Sequence, residues 1–590
     1  MKVVLRHAGR WLHFQSPEKV LVAESPDQVL PMLCEAEESG LYAAGFISYE
    51  AAPAFDDALQ TRPAGGFPLL CIGLFHAPYV LDDIELTASS SYMMGTLKAS
   101  VSKQHFAEAI ARIRERIAAG ATYQVNYTYR LNASFEGDPW SFFYRLVRDQ
   151  RAEYAAYIET DEFSICSASP ELFFHCRNGV ITSRPMKGTA RRGRTFSEDR
   201  QQAEELAVSE KDRAENIMIV DMIRNDIGRV AEPGSVETLS LYDVEKYPTV
   251  WQMTSTVAGK INHESSKNRK LRKDGHSDAS GSSCLRGEEI IGLTDVFTAL
   301  FPCASITGAP KAKTMEIIRE LETSSRKIYT GSIGFLTPQG EACFNVAIRT
   351  ALIDRKAGTL EYGVGGGIVW DSDAAAEYEE TLTKARILTQ PRPDFQLLET
   401  MLWEPAAGIF LLDGHLQRLG RTAAYFDVPL DVHAVLSLLE STTHGLEKVP
   451  HRIRLLVSCD GSPELQTFPL ETGGGCFSGT PREAETAAPA VHVEIAKDPV
   501  DPQHIFLFHK TTHRDVYTNA RAAFPDSDDV ILWNERGEVT ESTIANVVIR
   551  KNGRLITPPV GCGLLAGVFR EHLLQKGEIE EGIVTLEDLR

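Results

Sequence analysis

No stretch of the chain approaches the run of about 18 apolar residues that a membrane-spanning helix needs, so no membrane span is expected. The first residues, MKVVLRHAGRWLHF, hold a three-residue apolar run before Arg6, too little for the core of a signal peptide. The ten cysteines are scattered and form no CxxC pair. That excludes a clustered thiolate metal site and fits reduced thiols in a cytoplasmic protein. Basic residues are outnumbered, 61 against 81 acidic, for a formal net charge of −20. A general nucleic-acid binder carries a basic face, so nucleic acid is not expected as a partner. An anionic small molecule remains compatible, because a local Arg/Lys pocket overrides net charge.

What is present is ordinary globular composition, 43% hydrophobic and 24% charged, over 590 residues. That length suggests several domains of about 150 residues each, or two with large cores. Two breaks stand out. Residues 263–287 are polar, basic and without apolar periodicity, and read as a disordered insertion whose KNRKLRK run is a solvated loop. At 389–395, TQPRPDF sets two prolines at a spacing of two, which ends a helix and makes a stiff linker. The expected pieces are 1–100 and 101–388 of a first domain, then 396–590.

The first piece reads as α+β, with strands, then helices, then strands on large antiparallel sheets. FSICSASPELFFHC and GVITSRPM are strands around a Gly turn. Residues 197–228 read as one helix from a Ser197 cap to a Gly228 stop. DSDAAAEYEETLTKARIL reads as a terminal helix capped by Ser372 or Asp373. In the second piece HRIRLLVS and HVEIAK are strands around a glycine-rich loop. DVILWNERGEVTESTIANVVIRKNGRLITP reads as strand, turn, short helix start and hairpin.

Lys187, in SRPMKGTARRG, reads as lying at a turn from which its side chain can project into a cavity. On the terminal helix Glu377 and Glu380 are three apart and share a face. Glu380 and Lys384 are four apart, which reads equally as an exposed ion pair. Glu215 sits where a helix face turns inward. A hard cation such as Mg²⁺ takes one or two carboxylates plus substrate oxygens and water, and Glu215 with Glu380 supplies that, with Glu377 behind. Arg349 alternates with apolar neighbours on a strand and reads either as a structural ion pair or as a grip on an anion. FPCASITGAPKAKT opens a helix whose first amides suit a carboxylate, with Lys311 adding charge. GVGGGI has its third glycine misplaced for a dinucleotide loop.

The motifs SASPELFF, PMKGTARRG, KDRAENIMIVDMIRNDIGRV, FPCASITGAPK, YTGSIGF, NVAIRT and GGGIVWDSDAAAEYEET occur in the order found in the chorismate-utilising enzymes. Over roughly residues 100–388 the chain resembles that family, which includes anthranilate, aminodeoxychorismate, isochorismate and salicylate synthases. The resemblance implies Mg²⁺ on Glu215, Glu380 and Glu377. It implies a ring-carboxylate grip by Arg349 and Tyr329, and Glu171 as general acid at the C4 hydroxyl. Gln124, Thr189, Gly365 and Lys384 are implied as further substrate contacts.

Two positions separate the branches. Gln124 stands where the water-using members carry a catalytic Lys, and Lys187 stands where anthranilate synthases usually carry Ala. The second choice is the pattern of aminodeoxychorismate synthases. It implies attack of neutral Lys187 on chorismate C2, then displacement by ammonia at C4. Gln252 replaces a His linked to pyruvate elimination in the anthranilate branch. No amidotransferase motif is visible, so ammonia is expected from a separate glutamine amidotransferase subunit or from free ammonium. An anthranilate synthase component is the alternative.

In the second piece Lys510 in HKTTHRDVY, Glu541 in TESTIAN, Arg418 in DGHLQRL and the Val568–Phe569 start of a helix are individually bland. Together they resemble the fold-type IV pyridoxal-phosphate enzymes, which include amino acid aminotransferases and aminodeoxychorismate lyase. The resemblance implies Lys510 as the cofactor-bearing lysine and Glu541 as partner of the pyridinium nitrogen. Arg418 with the Val568 and Phe569 amides would hold the phosphate. A lyase that releases pyruvate and yields 4-aminobenzoate for folate synthesis is the expectation, and an aminotransferase the alternative. The chain stops at TLEDLR, where such relatives continue through a further strand-rich segment.

Overall fold

The computed structural model describes residues 1–84, 91–261, 292–470 and 492–589. The insertion expected at 263–287 and the glycine-rich loop TGGGCFSGTPRE lie outside the described residues. The chain divides into two compact units: Met1–Arg191 with Ala203–Pro391, and Arg192–Gln202 with Arg392–Arg590.

Unit 1 is built on two large sheets, of eleven and ten strands. The first includes Lys2–His7, Gln124–Gly137, Phe163–Ser169, Thr350–Asp354 and Thr359–Ile368. The second includes Tyr42–Ile47, Leu172–Arg177, Met186–Arg191, Val250–Lys260, Ser332–Leu336 and Ala342–Val346. The pairings are antiparallel. Val3, Leu5, Phe14 and Ile165 of the first sheet meet Phe46, Cys71 and Phe335 of the second in one buried cluster.

Helices cover the outer faces. On Lys103–Ala118 the buried residues Phe106, Ala109, Ile110 and Ile113 fall at one-face helical spacing, behind a Ser102 cap that accepts from the His105 amide. They join Phe142, Leu146 and the first sheet's outer face. Leu33, Ile219, Ile223 and Phe297 do the same for the second sheet. Each such side chain, fully buried, contributes about 2 kcal/mol. The result is four layers, helix–sheet–sheet–helix, in the expected α+β class.

Two local expectations change, and one open alternative is settled. Residues 197–228 form two helices, Phe196–Val208 and Glu210–Gly228, because Ser209 caps the second by accepting from the Asp212 amide. Ser197 lies inside the first of them. The terminal helix, Ala374–Thr389, is capped by Asp373, which accepts from the amides of Ala375 and Ala376. Ser372 instead donates to Glu377 Oε1 at 2.7 Å. TESTIAN starts no helix: Val539–Ser542 is a strand, and Ser542 then turns back by accepting from the Ala545 amide.

Unit 2 mixes small sheets with helices. A four-stranded sheet, including Leu397–Glu404 and His451–Val457, packs on helix Leu412–Phe426 through Leu397, Met401, Leu419, Phe426 and Ile453. A three-stranded sheet of Val493–Ile495, Asp529–Trp533 and Val539–Ser542 packs on Leu507 and Tyr517. Another holds Ile549–Lys551 and Arg554–Thr557. Among the described residues no helix is long and apolar enough to cross a membrane.

Candidate active sites

In unit 1 a β-bulge aims Lys187. Strand Met186–Arg191 pairs with Val250–Lys260 so that Met186 faces Thr254 and Thr189 faces Gln252. Two residues of one strand, Lys187 and Gly188, therefore oppose one of the other, Met253, and the extra residue bends the strand. Gly188 takes up the bend at φ 101°, and an added Cβ there would press on Asp212 and Met253. Asn216, 1% exposed, locks the bulge: its amide donates to the Lys187 carbonyl at 3.2 Å and accepts from Ser255 at 2.6 Å. Gln252 donates to the Gly188 carbonyl at 3.1 Å. Held this way, Lys187 lines a cavity of about 350 Å³. Burial lowers its pKa, opposed chiefly by Glu215.

Glu171, Thr189, Glu215, Tyr329, Arg349, Gly365, Glu377, Glu380 and Lys384 line the same cavity. Glu171 is 3% exposed, and its Oε1 has no hydrogen-bond partner. Burial pushes its carboxyl up to about 7, so about half of it is protonated near neutral pH. Glu380 pairs with Lys384 at 2.8 Å, and that cation holds its pKa down. Lys384 also donates to the Gly365 carbonyl at 3.0 Å. Glu377, raised by burial, accepts from Ser372.

Glu215, Glu377 and Glu380 do not converge to within 4.8 Å of one another. Magnesium needs no such closed protein cage, since it keeps waters and takes substrate oxygens. The donor set of oxygen ligands around an open cavity fits that ion.

Arg349 extends into the cavity without a carboxylate partner among the described residues. It donates to Gln150 Oε1 at 2.7 Å and faces the Tyr247 ring at 5.8 Å. The reading of Arg349 as a structural ion pair is thereby replaced by a guanidinium open to an anion. Gln124 is fully buried, and neither polar atom of its amide has a hydrogen-bond partner among the described residues. A Cβ added at Gly367 would collide with both the Gln124 amide nitrogen and Lys187 Nζ, so Gln124 lies directly beside the lysine tip. Gly363 likewise admits the Tyr329 ring. The glycine run of Thr359–Ile368 thus makes room for side chains crossing the strand.

Unit 2 holds the second constellation. Burial lowers Lys510 to about 8, with Arg418 adding to the effect and Glu399 opposing it. Its carbonyl accepts from the Leu398 amide at 3.0 Å. Glu541, 4% exposed, is raised to about 7 by burial. It accepts from Tyr517 at 2.7 Å and from the Leu565 amide at 3.1 Å. Arg418 is held by Glu399 through two bonds, at 2.8 and 2.6 Å, and donates to the Ala566 carbonyl at 3.2 Å. His415 also meets Glu399, at 2.8 Å. Val568 and Phe569 open helix Val568–Gln575, so their amides lie in its unsatisfied first turn. Gly414 lets Val568 pack against helix Leu412–Phe426, close to Arg418. A lysine, a buried carboxyl, an arginine and helix-start amides fit pyridoxal phosphate in donor chemistry.

The family model of chorismate binding enzymes matches residues 8–273 and 282–390, well over half of the chain. The chain belongs to the chorismate binding enzymes. Residues 396–590 of this chorismate binding enzyme match the amino-transferase class IV family. It is 40% identical over 294 residues to aminodeoxychorismate synthase component 1 of Salmonella typhimurium, covering 50% of this chain and 59% of that protein. Against the protein of that name from Klebsiella aerogenes it is 41% identical over 304 residues, covering 51% and 61%. Anthranilate synthase component 1 of Aquifex aeolicus is 36% identical over 293 residues, covering 49% and 53%. The chain thus spans about six-tenths of the length of the first of these relatives. A solved anthranilate synthase component I from Streptococcus pneumoniae shares the fold, with TM-score 0.53 at 23% identity over 66% of this chain and 92% of that one.

Among the contributors to this chorismate binding enzyme's cavity that were not picked out from sequence are Asn126, Lys211, Asp212, Ser305 and Tyr362. Lys211 sits one turn before Glu215 in KDRAEN, a spacing that could have flagged it. Lys311 does not line the cavity. It is spent on Asp226 at 2.8 Å and the Leu300 carbonyl at 2.9 Å, which tie the helix start to Glu210–Gly228.

Proposed function

We propose that unit 1 aminates chorismate at C4, giving 4-amino-4-deoxychorismate, with Lys187 as transient nucleophile. The observation that carries this reading is the bulge: it delivers a lysine of lowered pKa into the cavity beside an orphaned Gln124 amide and a Glu171 whose carboxyl burial raises to about 7. Arg349 and Tyr329 hold the ring carboxylate. Neutral Lys187 Nζ forms a bond to C2 while the C4–oxygen bond breaks, and Glu171 gives its proton so that water leaves. Ammonia then bonds to C4, and the C2–nitrogen bond to Lys187 breaks, restoring the amine. The net change is chorismate plus ammonia to the amino product plus water. Mg²⁺ bound by Glu215 and Glu380, with Glu377 behind, supplies charge neutralisation of a substrate carboxylate. The ammonia comes from a glutamine amidotransferase partner.

Unit 2, on this reading, takes the amino product and releases pyruvate to leave 4-aminobenzoate. Pyridoxal phosphate, when bound, supplies electron withdrawal from the carbon bearing the amine. Lys510 takes the C4 proton. The electron pair of that bond completes the aromatic ring as the C3–oxygen bond breaks, and enolpyruvate leaves. Glu541 would pair with the ring nitrogen, and Arg418 with the Val568 and Phe569 amides would hold the phosphate.

The test is product identification from chorismate, Mg²⁺ and ammonium, with and without pyridoxal phosphate. Aminodeoxychorismate alone is expected without the cofactor, and 4-aminobenzoate plus pyruvate with it. Anthranilate as main product would replace the C4 reading. An amino product that persists with the cofactor, while an added keto acid is aminated, would make unit 2 an aminotransferase.

A further inference from the structure

Three ligating side chains of unit 1 converge outside the chorismate cavity. His7 ends strand Lys2–His7 of the eleven-stranded sheet. His175 lies in Leu172–Arg177, and Glu341 immediately precedes Ala342–Val346, both in the ten-stranded sheet. Glu341 Oε1 is 2.9 Å from His175 Nε2 and 3.5 Å from His7 Nε2. The three ligand atoms all fall within 4.8 Å of one another. Donor atoms around a tetrahedral zinc ion at about 2.0–2.1 Å lie about 3.3 Å apart, so small movements close this set around an ion.

The setting suits a site that an ion can enter. The three side chains are 21%, 25% and 27% exposed, so solvent reaches them. His7 is braced edge-on by Phe335 at 5.1 Å and by the His175 ring at 5.4 Å. Among the described residues the only competing cation at the carboxylate is Arg177, 3.9 Å from the same oxygen and 61% exposed, able to turn into solvent. Two imidazoles and one carboxylate are borderline ligands, which favour zinc, cobalt or nickel over magnesium.

We propose that His7, His175 and Glu341 bind one divalent transition-metal ion of the zinc class, with water completing its shell, and that the ion clamps the first strand of one sheet to the other sheet. The ion is structural: none of its ligands lines the cavity, and its binding favours the folded chain.

The test uses the full-length, untagged, metal-stripped chain in excess Mg²⁺, which occupies the cavity carboxylates. Zn²⁺ is titrated by calorimetry, and Co²⁺ by visible absorption. One site per chain is expected, with cobalt ligand-field bands and no thiolate charge-transfer band. His7→Gln, His175→Ala and Glu341→Gln should each weaken zinc binding at least about tenfold, while circular dichroism and cooperative unfolding show an intact fold. If His175→Ala fails to fold, His7→Gln, at a strand end, decides. Absence of a site, affinity unchanged in the variants, or a thiolate band would overturn the proposal. None of these outcomes depends on the reaction assigned to unit 1.

Discussion

Glu171→Gln should make unit 1 more stable at alkaline pH while removing its activity. The unfolded carboxyl titrates at 4.5 and the folded one at about 7, because burial penalises the charge and Oε1 has no donor. Between those values the folded chain keeps a proton that the unfolded chain has lost. Stability therefore falls as pH rises through that window, and the full cost is present above about 7. The shift from 4.5 to about 7 corresponds to about 3 kcal/mol. Glutamine fills the same volume and never ionises. The difference in unfolding free energy between variant and wild type should thus grow by up to about 3 kcal/mol from pH 4.5 to pH 8.

Hydrogen exchange of the fully buried strand Phe163–Ser169, corrected for intrinsic rates, reads unit 1 separately from unit 2. A pH-independent difference would show that Glu171 is ionised in the folded protein. The general-acid assignment would then fail with it. A stability cost located at a group the chemistry needs is the usual trade at an active site.

Other substitutions probe separate parts of the account. Gly367→Ala places a methyl group against Lys187 Nζ and the Gln124 amide. A fall in kcat of at least about tenfold is expected with unit 1 exchange protection retained, checked by steady-state chorismate consumption. Asn216→Ala frees the Lys187 bulge and should lower kcat more than it raises KM, since it removes aim rather than a substrate contact. An effect confined to KM would count against the positioning role. Lys510→Ala should abolish the visible absorption of bound pyridoxal phosphate, and Glu541→Gln should keep the cofactor while slowing pyruvate release. Cofactor absorbance unchanged without Lys510 would remove that residue from its role.

What could be read in advance depended on range. Lys187, Glu171, Glu215 and Glu380 lie in local motifs, and all reach one cavity. The bulge that aims Lys187 could not be read, because it arises from register against a strand more than sixty residues away. Lys311 looked available because its partner, Asp226, lies on another helix. Arg418 taken alone reads as a salt-bridge arginine, and Glu399 does take two of its donors, but that partner could not be named from sequence. The helix break at Ser209 was legible in principle, since a serine three residues before Asp212 is a capping signal. Apolar periodicity on both sides concealed it. The His7, His175 and Glu341 cluster carries no sequence spacing at all, since its members meet only when the two sheets pack.

The measurement closest to the central claim is the mass of the Lys187 peptide after the protein is mixed with chorismate and Mg²⁺ without ammonium, then quenched. The account predicts an adduct of chorismate less one water on Lys187, discharged as aminodeoxychorismate when ammonium is added and absent in Lys187→Ala. Turnover to aminodeoxychorismate at full rate in Lys187→Ala, with no adduct on the wild-type peptide, would contradict it.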